Sequence, residues 1–421
     1  MKTFLLLLVM FSLAGCGSSS SDPLDTPGGP SNGNATNGNG AGNGNSNGNG
    51  EPDDGPAEPT GVTAELDFDH LHALADFPVG IAVSAGGESR SILRSGERGD
   101  QERAVIEQHF NQLTAGNIMK MSYLHNQWGS YTYGEANALR DYVEAEGMTL
   151  HGHALLWHSC YQVPQWVRDF DGDRDTFLDQ LTTHIQTVAA EFAGSVESWD
   201  VVNEAFLDSG EYRTGIENCW NDGDASIFYE RAEGPGYLET AFLAARAGDP
   251  SADLYYNDFN LVPNDGKLAA VLDMVDDFQA RDIPIDGIGF QMHIQLGWPS
   301  INNIRASFEQ VVERGLKVKI TELDIPINNP FSGQVDYESF TQAAADAQRR
   351  RYCQVVEAYL EAVPETLRGG VTVWGLADGD SWLIDHFFDD GVEARPLLFN
   401  DDLTPKPALM GVADALRERD C

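Results

Sequence analysis

Basic side chains are scarce in this chain. Of 421 residues only 26 are Lys or Arg, against 66 Asp or Glu, for a formal net charge of −40. A surface so acidic repels phosphate backbones, so nucleic acid is excluded as a partner. It also repels polyanionic glycans unless a local basic patch intervenes. Cysteine is sparse too: there are five, none with C-x-x-C spacing, which removes the usual zinc frameworks. No metal site and no cofactor is expected. The apolar run 4–13 is too short for a permanent bilayer helix. A phosphate-binding loop is missing as well: Ala85-Gly86-Gly87 is a weak echo of one, and no P-loop lysine follows. What remains, 42% hydrophobic and 22% charged, is ordinary globular material, long enough for a large core.

Lys2 precedes the apolar run, which ends Leu13-Ala14-Gly15-Cys16 and gives way at once to polar sequence. This resembles a bacterial lipoprotein signal. The resemblance implies that residues 1–15 are removed, that Cys16 is lipidated, and that the exported protein is anchored at the outer membrane or cell surface. Residues 16–63 read as a linker. Its segment 28–50 is almost entirely Gly and Asn with a little Ser, which cannot bury apolar surface. Such a coil reaches roughly 35–40 Å root mean square. Export permits disulfides. Cys160 and Cys219 follow neighbouring strands, and Cys353 and Cys421 sit in the last helical stretches, so the pairs 160–219 and 353–421 are expected.

Residues 64–421 alternate strand and helix patterns. Strands are expected at 79–83, 117–119, 149–154, 198–203, 253–256, 286–291, 317–321 and 370–375. Helices are expected at 101–113, 134–146, 176–192, 266–280, 301–314 and 337–362. Short continuous apolar runs suit a parallel sheet buried on both faces. Eight such repeats fit an α/β fold of the (β/α)8 TIM-barrel kind, with a doubly wound open sheet as the fallback. Strand after strand ends on polar residues, at Asn203-Glu204, Asn257-Asp258, Gln291 with His293, and Glu322 with Asp324. The carboxyl ends of barrel strands form the active face. Glu204 and Glu322 therefore can face each other across a cleft, and a facing carboxylate pair is what glycosidic bond cleavage requires.

Six strings carry a family resemblance: L-H-G-H-A-L-L-W-H at 150–158, W-D-V-V-N-E-A at 199–205, G-I-G-F-Q-M-H at 287–293, I-T-E-L-D at 320–324, V-W-G-L-A-D-G-D-S-W at 373–382 and P-L-L-F-N-D-D-L-T-P-K-P-A at 396–408. Over roughly residues 75–415 the chain resembles glycoside hydrolase family 10, the endo-β-1,4-xylanases. The resemblance implies retaining hydrolysis of xylan, with Glu204 as acid/base and Glu322 as nucleophile. A neighbouring carboxylate is expected to raise the pKa of Glu204. His293 and Asp324 resemble the pair that supports the nucleophile. Asn203 resembles the residue that binds the 2-hydroxyl of the reacting sugar, and Gln291 the polar residue beside the acid/base. Asn257 either caps the strand end or binds substrate.

Asn117, Lys120, His153 and Trp157 match residues that hold the glycone sugars, and Trp374 and Trp382 match the roof over the reacting sugar. Flat indoles suit pyranose faces and crowd a substituent at C5, which favours xylose over glucose. Trp199 is read as packing. The chain departs from the pattern at Gly116, where the family usually has glutamate, and at Met121, where it usually has tryptophan. The segment Cys160-Tyr161-Gln162 looks like a small insertion. The expected partners are xylan or xylo-oligosaccharide and, through the lipid, a membrane; a monomer is expected. Two other readings keep parts of the pattern: a barrel cellulase acting on β-glucans, and a surface glycan-binding lipoprotein with a dead site.

Overall fold

The computed structural model describes residues 61–216, 223–262, 265–330, 335–387 and 392–421. Among the described residues, nine parallel strands form one sheet: β1 (Val79–Val83), β2 (Gln112–Ala115), β3 (Thr149–Gly152), β4 (Leu156–Trp157), β5 (Val196–Asn203), β6 (Asp253–Asp258), β7 (Gly287–Phe290), β8 (Lys317–Leu323) and β9 (Arg368–Val373). Eight close into a barrel in the order β1-β2-β3-β5-β6-β7-β8-β9. The seam is β9 against β1, with Val79 opposite Val371 and Ile81 opposite Val373. The two-residue β4 continues beyond β3 and pairs with the end of β5, Trp157 lying opposite Asn203.

Each barrel strand is followed by a long helix: Glu97–His109, Gly134–Ala145, Arg174–Glu191, Gly236–Gly248, Asp265–Ala280, Ile301–Val312, Gln342–Ala362 and Pro407–Leu416. The expected (β/α)8 architecture is therefore the fold. Strands β1, β2 and β7 are buried along their whole length, as a sheet covered by helices on one side and filled by side chains on the other demands.

The second strand corrects the sequence reading. It lies at Gln112–Ala115, not at 117–119. Asn117 instead begins a turn, with the Lys120 N–H donating to the Asn117 carbonyl at 2.8 Å, and Met121–Leu124 is helical. The apolar Ile118 and Met119 are buried in that turn, which is why their pattern mimics a strand. The preceding helix ends at His109 rather than 113, which releases Gln112 and Leu113 to the sheet.

Interior positions of the barrel are polar as well as bulky. Lys319 is fully buried; its Nζ donates to Gln112 Oε1 at 2.5 Å and to the Gly369 carbonyl at 3.1 Å. Glycines make room for large neighbours. A Cβ on Gly152 would lie 2.1 Å from the indole of Trp199, and one on Gly289 would lie 2.4 Å from Asn257 Oδ1. Trp199 is wholly buried, as its packing role requires. Cys353 and Cys421 form a disulfide that ties the chain end to helix Gln342–Ala362, as expected. Cys160 is also disulfide-bonded; its expected partner Cys219 lies outside the described residues, as do Cys16, the signal at 1–15 and linker residues 16–60.

Candidate active site

The carboxyl ends of the strands surround a cleft of about 1720 Å³. Glu204 follows β5 with a φ of 59°, a left-handed conformation uncommon outside glycine. Two backbone-directed bonds hold it there: its N–H donates to the Asn257 carbonyl at 2.9 Å, and Arg213 Nε donates to its own carbonyl at 3.0 Å. Its side chain is ringed by donors. Trp157 Nε1 reaches Oε2 at 2.9 Å, Gln291 Nε2 reaches Oε1 at 2.9 Å, and Asn203 Nδ2 reaches Oε1 at 3.1 Å.

Glu322 lies within β8 and is 5% exposed. Asn257 Nδ2 donates to its Oε1 at 2.8 Å, and His293 Nε2 lies 3.3 Å from its Oε2. His293 Nδ1 is 2.8 Å from Asp324 Oδ2, and Trp382 Nε1 donates to the same oxygen at 2.9 Å. Both glutamates line the one cleft. A continuous run of amides joins them, because Asn257 Nδ2 also donates to Asn203 Oδ1 at 3.0 Å and Gln291 Nε2 to the same oxygen at 3.2 Å.

Of the other residues singled out from sequence, Asn117, Lys120, His153, Trp157, Asn203, Gln291, His293, Trp374 and Trp382 all line the cleft. Asp324 lies behind them, fully buried. His153 Nδ1 is 2.8 Å from Asp200 Oδ2, and its ring meets Trp374 edge to face. Asn257 differs from both readings offered for it. It is fully buried, its oxygen accepts from Thr321 Oγ1 at 2.7 Å, and its N–H groups are directed at Asn203 and Glu322. With every polar atom engaged inside the barrel, it orients other side chains instead of meeting sugar. Gln162 also lines the cleft, where its Oε1 accepts from Ser122 Oγ at 2.9 Å.

The electrostatics revise one expectation. Burial pushes the pKa of Glu204 up, but the nearby His158, the donors Gln291 and Trp157, and Arg213 pull it down. The balance lies below the ordinary carboxylate value. The upward push comes from burial and not from the expected neighbouring carboxylate, and the donors around Glu204 outweigh it. His158 is itself pushed down to about 4, chiefly by burial. For His293 the effects run the other way. Burial lowers its pKa, yet Asp324 and Glu322 on either side lift it to about 10, so it is an imidazolium at neutral pH. Lys120 is held down to about 8 by burial, against the pull of Glu322, Glu204 and Glu88.

Several residues at the site were not picked out from sequence. His158 Nδ1 stands 3.9 Å from Glu204 Oε2; its signal was its place directly after Trp157 in the string at 150–158. Arg213, Glu88, Phe259 and Trp298 lie on loops without a strand pattern, where no periodicity flags them. Among the described residues, no group of three or more His, Cys, Asp or Glu side chains is arranged to hold a metal.

The family model for glycosyl hydrolase family 10 matches residues 71–415. The endo-β-1,4-xylanase Xyn10C of Cellvibrio japonicus is 45% identical over 365 residues, covering 84% of this chain and 58% of that protein. Endo-1,4-β-xylanase A of the same species is 45% identical over 358 residues, covering 83% and 57%. The chain thus spans under two thirds of the length of these curated relatives. A solved structure of a Cellvibrio japonicus xylanase 10C mutant in complex with xylopentaose superposes with a TM-score of 0.79 at 45% identity, covering 84% of this chain and 70% of that one. A thermostable mutant of Xyn10A from Cellvibrio japonicus gives 0.74 at 43% identity, covering 83% and 100%.

The donors around Glu204 provide a direct test of its electrostatics. Trp157→Phe removes one hydrogen bond to the charged form. It should raise the pKa of Glu204 by about one pH unit, the worth of one bond to a charged group. A carbon-13 NMR titration of the Glu204 carboxyl reads this; an unchanged or lower midpoint would show that the indole does not stabilise the carboxylate.

Proposed function

The chain belongs to glycosyl hydrolase family 10, and we propose that it cleaves internal β-1,4-xylosidic linkages of xylan and xylo-oligosaccharides with retention of anomeric configuration. The observation that carries this reading is the pair Glu204 and Glu322, on the ends of two barrel strands, in one cleft and joined by shared amides. The xylan specificity is supported by the relatives, which carry xylanase names, and by the indoles of Trp374 and Trp382 lining the cleft.

In the first step Glu322 attacks the anomeric carbon as Glu204 gives its proton to the departing glycosidic oxygen. In the second, Glu204 takes a proton from water, which displaces Glu322 and regenerates both groups. His293 holds Glu322 through Nε2, and Asp324 fixes His293 through Nδ1. Glu204 needs its proton at the moment of donation. Burial is the influence that raises its pKa, so a sugar chain laid over it, excluding water, moves it toward the protonated form. The 2-hydroxyl of the reacting sugar is assigned to Asn203, where its bond strengthens as the ring flattens.

We propose too that the protein is exported and held at a membrane through lipid on Cys16, with residues 16–63 as its tether. The support is the apolar run followed by Leu13-Ala14-Gly15-Cys16; among the described residues no helix is long and apolar enough to cross a membrane. Cys16→Ser in the full chain should move the protein from the membrane pellet to the soluble fraction. Retention in the pellet would overturn the anchor.

The catalytic roles separate kinetically. Glu322→Ala should lower turnover of xylan by on the order of 10⁴-fold or more with the circular dichroism spectrum retained. Glu204→Ala should cost about 10²–10⁴-fold on xylan and far less on aryl xylosides with good leaving groups, which need no protonation. Proton NMR of the first product released by the wild type should show the β anomer. Equal losses on both substrates in Glu204→Ala, or an initial α product, would contradict the assignment.

A further inference from the structure

Gly116 directly follows β2, where it offers no side chain to the cleft, and within 4 Å a Cβ built there would meet only the Val83 carbonyl, at 3.5 Å. A carboxylate nevertheless reaches the neighbouring Asn117, from the loop that follows β1. Glu88 Oε1 accepts from Asn117 Nδ2 at 2.7 Å, and its Oε2 accepts from the Ala85 N–H at 2.9 Å. The loop carrying it is pinned: the Gly87 N–H donates to Glu135 Oε1 at 2.9 Å, and the Ile92 N–H to the Ser84 carbonyl at 2.9 Å. Asn117 Oδ1 in turn accepts from Lys120 Nζ at 3.3 Å. Glu88, Asn117 and Lys120 are thus one connected group of anion, amide and cation on the cleft wall. Lys120 Nζ lies 4.5 Å from the centre of the Trp157 ring, whose Nε1 donates to Glu204 at 2.9 Å, which puts the group beside the reacting position.

An ionised carboxylate has about four acceptor sites, and Glu88 uses two of them on the protein. We propose that Glu88 accepts hydroxyl hydrogen bonds from the sugar adjoining the reacting unit on its glycone side, so that the loop after β1 supplies the acidic contact that Gly116 cannot. This rests on the xylanase reading above. On this reading the departure at Gly116 is not a lost contact. A glutamate placed at 116 would stand next to Asn117, which already donates to Glu88 at 2.7 Å, and two carboxylates at close range repel. The gap at 116 and the acid at 88 are alternatives.

The experiment compares kcat/KM for an activated aryl β-xylobioside with that for the aryl β-xyloside, which lacks the second sugar. Wild type, Glu88→Gln, Glu88→Ala, Gly116→Glu and the double variant Glu88→Ala/Gly116→Glu are measured. The xylobioside-to-xyloside ratio should fall about tenfold in Glu88→Gln and up to about a hundredfold in Glu88→Ala, the cost of a lost bond to a charged group. Glu88→Gln keeps the size of the side chain and an acceptor for Asn117, which guards against simple misfolding. Gly116→Glu alone should not raise the ratio, whereas in the Glu88→Ala background it should recover much of the loss. Unchanged ratios in both Glu88 variants, or a rise with Gly116→Glu that does not depend on Glu88, would overturn the proposal. A wild type that turns over neither glycoside would contradict the xylanase reading itself.

Discussion

Three buried amides set the geometry on which everything else in this molecule depends. Asn203 on β5, Asn257 on β6 and Gln291 just after β7 span the barrel mouth from Glu204 to Glu322 on β8. Each is at most 3% exposed, so each relies on partners inside the protein, with Asn203 and Gln291 also edging the cleft. Asn257 shows how little freedom is left. Turning its amide over would aim an oxygen at the acceptor oxygens of Glu322 and Asn203, losing both hydrogen bonds at once. In a setting this dry, an unmade bond costs far more than a made one gains. The carboxylates are therefore held by the barrel itself, and side-chain bonds across β5, β6, β7 and β8 reinforce the backbone pairing of the same strands.

Charge is arranged around that frame. The chain as a whole carries −40, yet the cleft floor holds two local cations, His293 and Lys120. The imidazolium of His293 sits between two acids, and Lys120 lies 4.5 Å from the centre of the Trp157 ring. The carboxylate of Glu204 has only neutral amide and indole donors within hydrogen-bond range, with His158 further off and Arg213 bonded to its backbone carbonyl. The two carboxylates thus have distinct surroundings: one is held by a cation, the other chiefly by the dipoles of neutral donors. That difference is what an acid/base residue and a nucleophile working on one bond need. The left-handed backbone at Glu204, repeated at Met292 between Gln291 and His293, marks where the chain is bent to aim these groups.

Much of this was legible in the residues, for identifiable reasons. The barrel was, because buried parallel strands leave continuous apolar runs, as at Val79–Val83, and stop on polar residues. The two glutamates were, because each ends such a run. The second strand was not: Gln-Leu-Thr-Ala is less apolar than the turn that follows, since its polar side chains face a barrel interior that holds Lys319. The burial of Asn257 was not, because a strand-end asparagine looks the same in sequence whether it caps, binds or braces. The lowered pKa of Glu204 depends on which way neighbouring donors point, and Glu88 reaches Asn117 from a loop 29 residues away. Both facts belong to the folded chain alone.

The central claim is that Glu322 becomes bonded to sugar while Glu204 handles the proton. Incubation with an activated 2-deoxy-2-fluoro xylobioside, followed by proteolysis and mass spectrometry, tests it most directly, because the fluorine slows the second step and lets the glycosylated protein accumulate. The account predicts a single adduct on the peptide containing Glu322. An adduct on Glu204, or turnover of the natural linkage with no residue ever labelled, would contradict it.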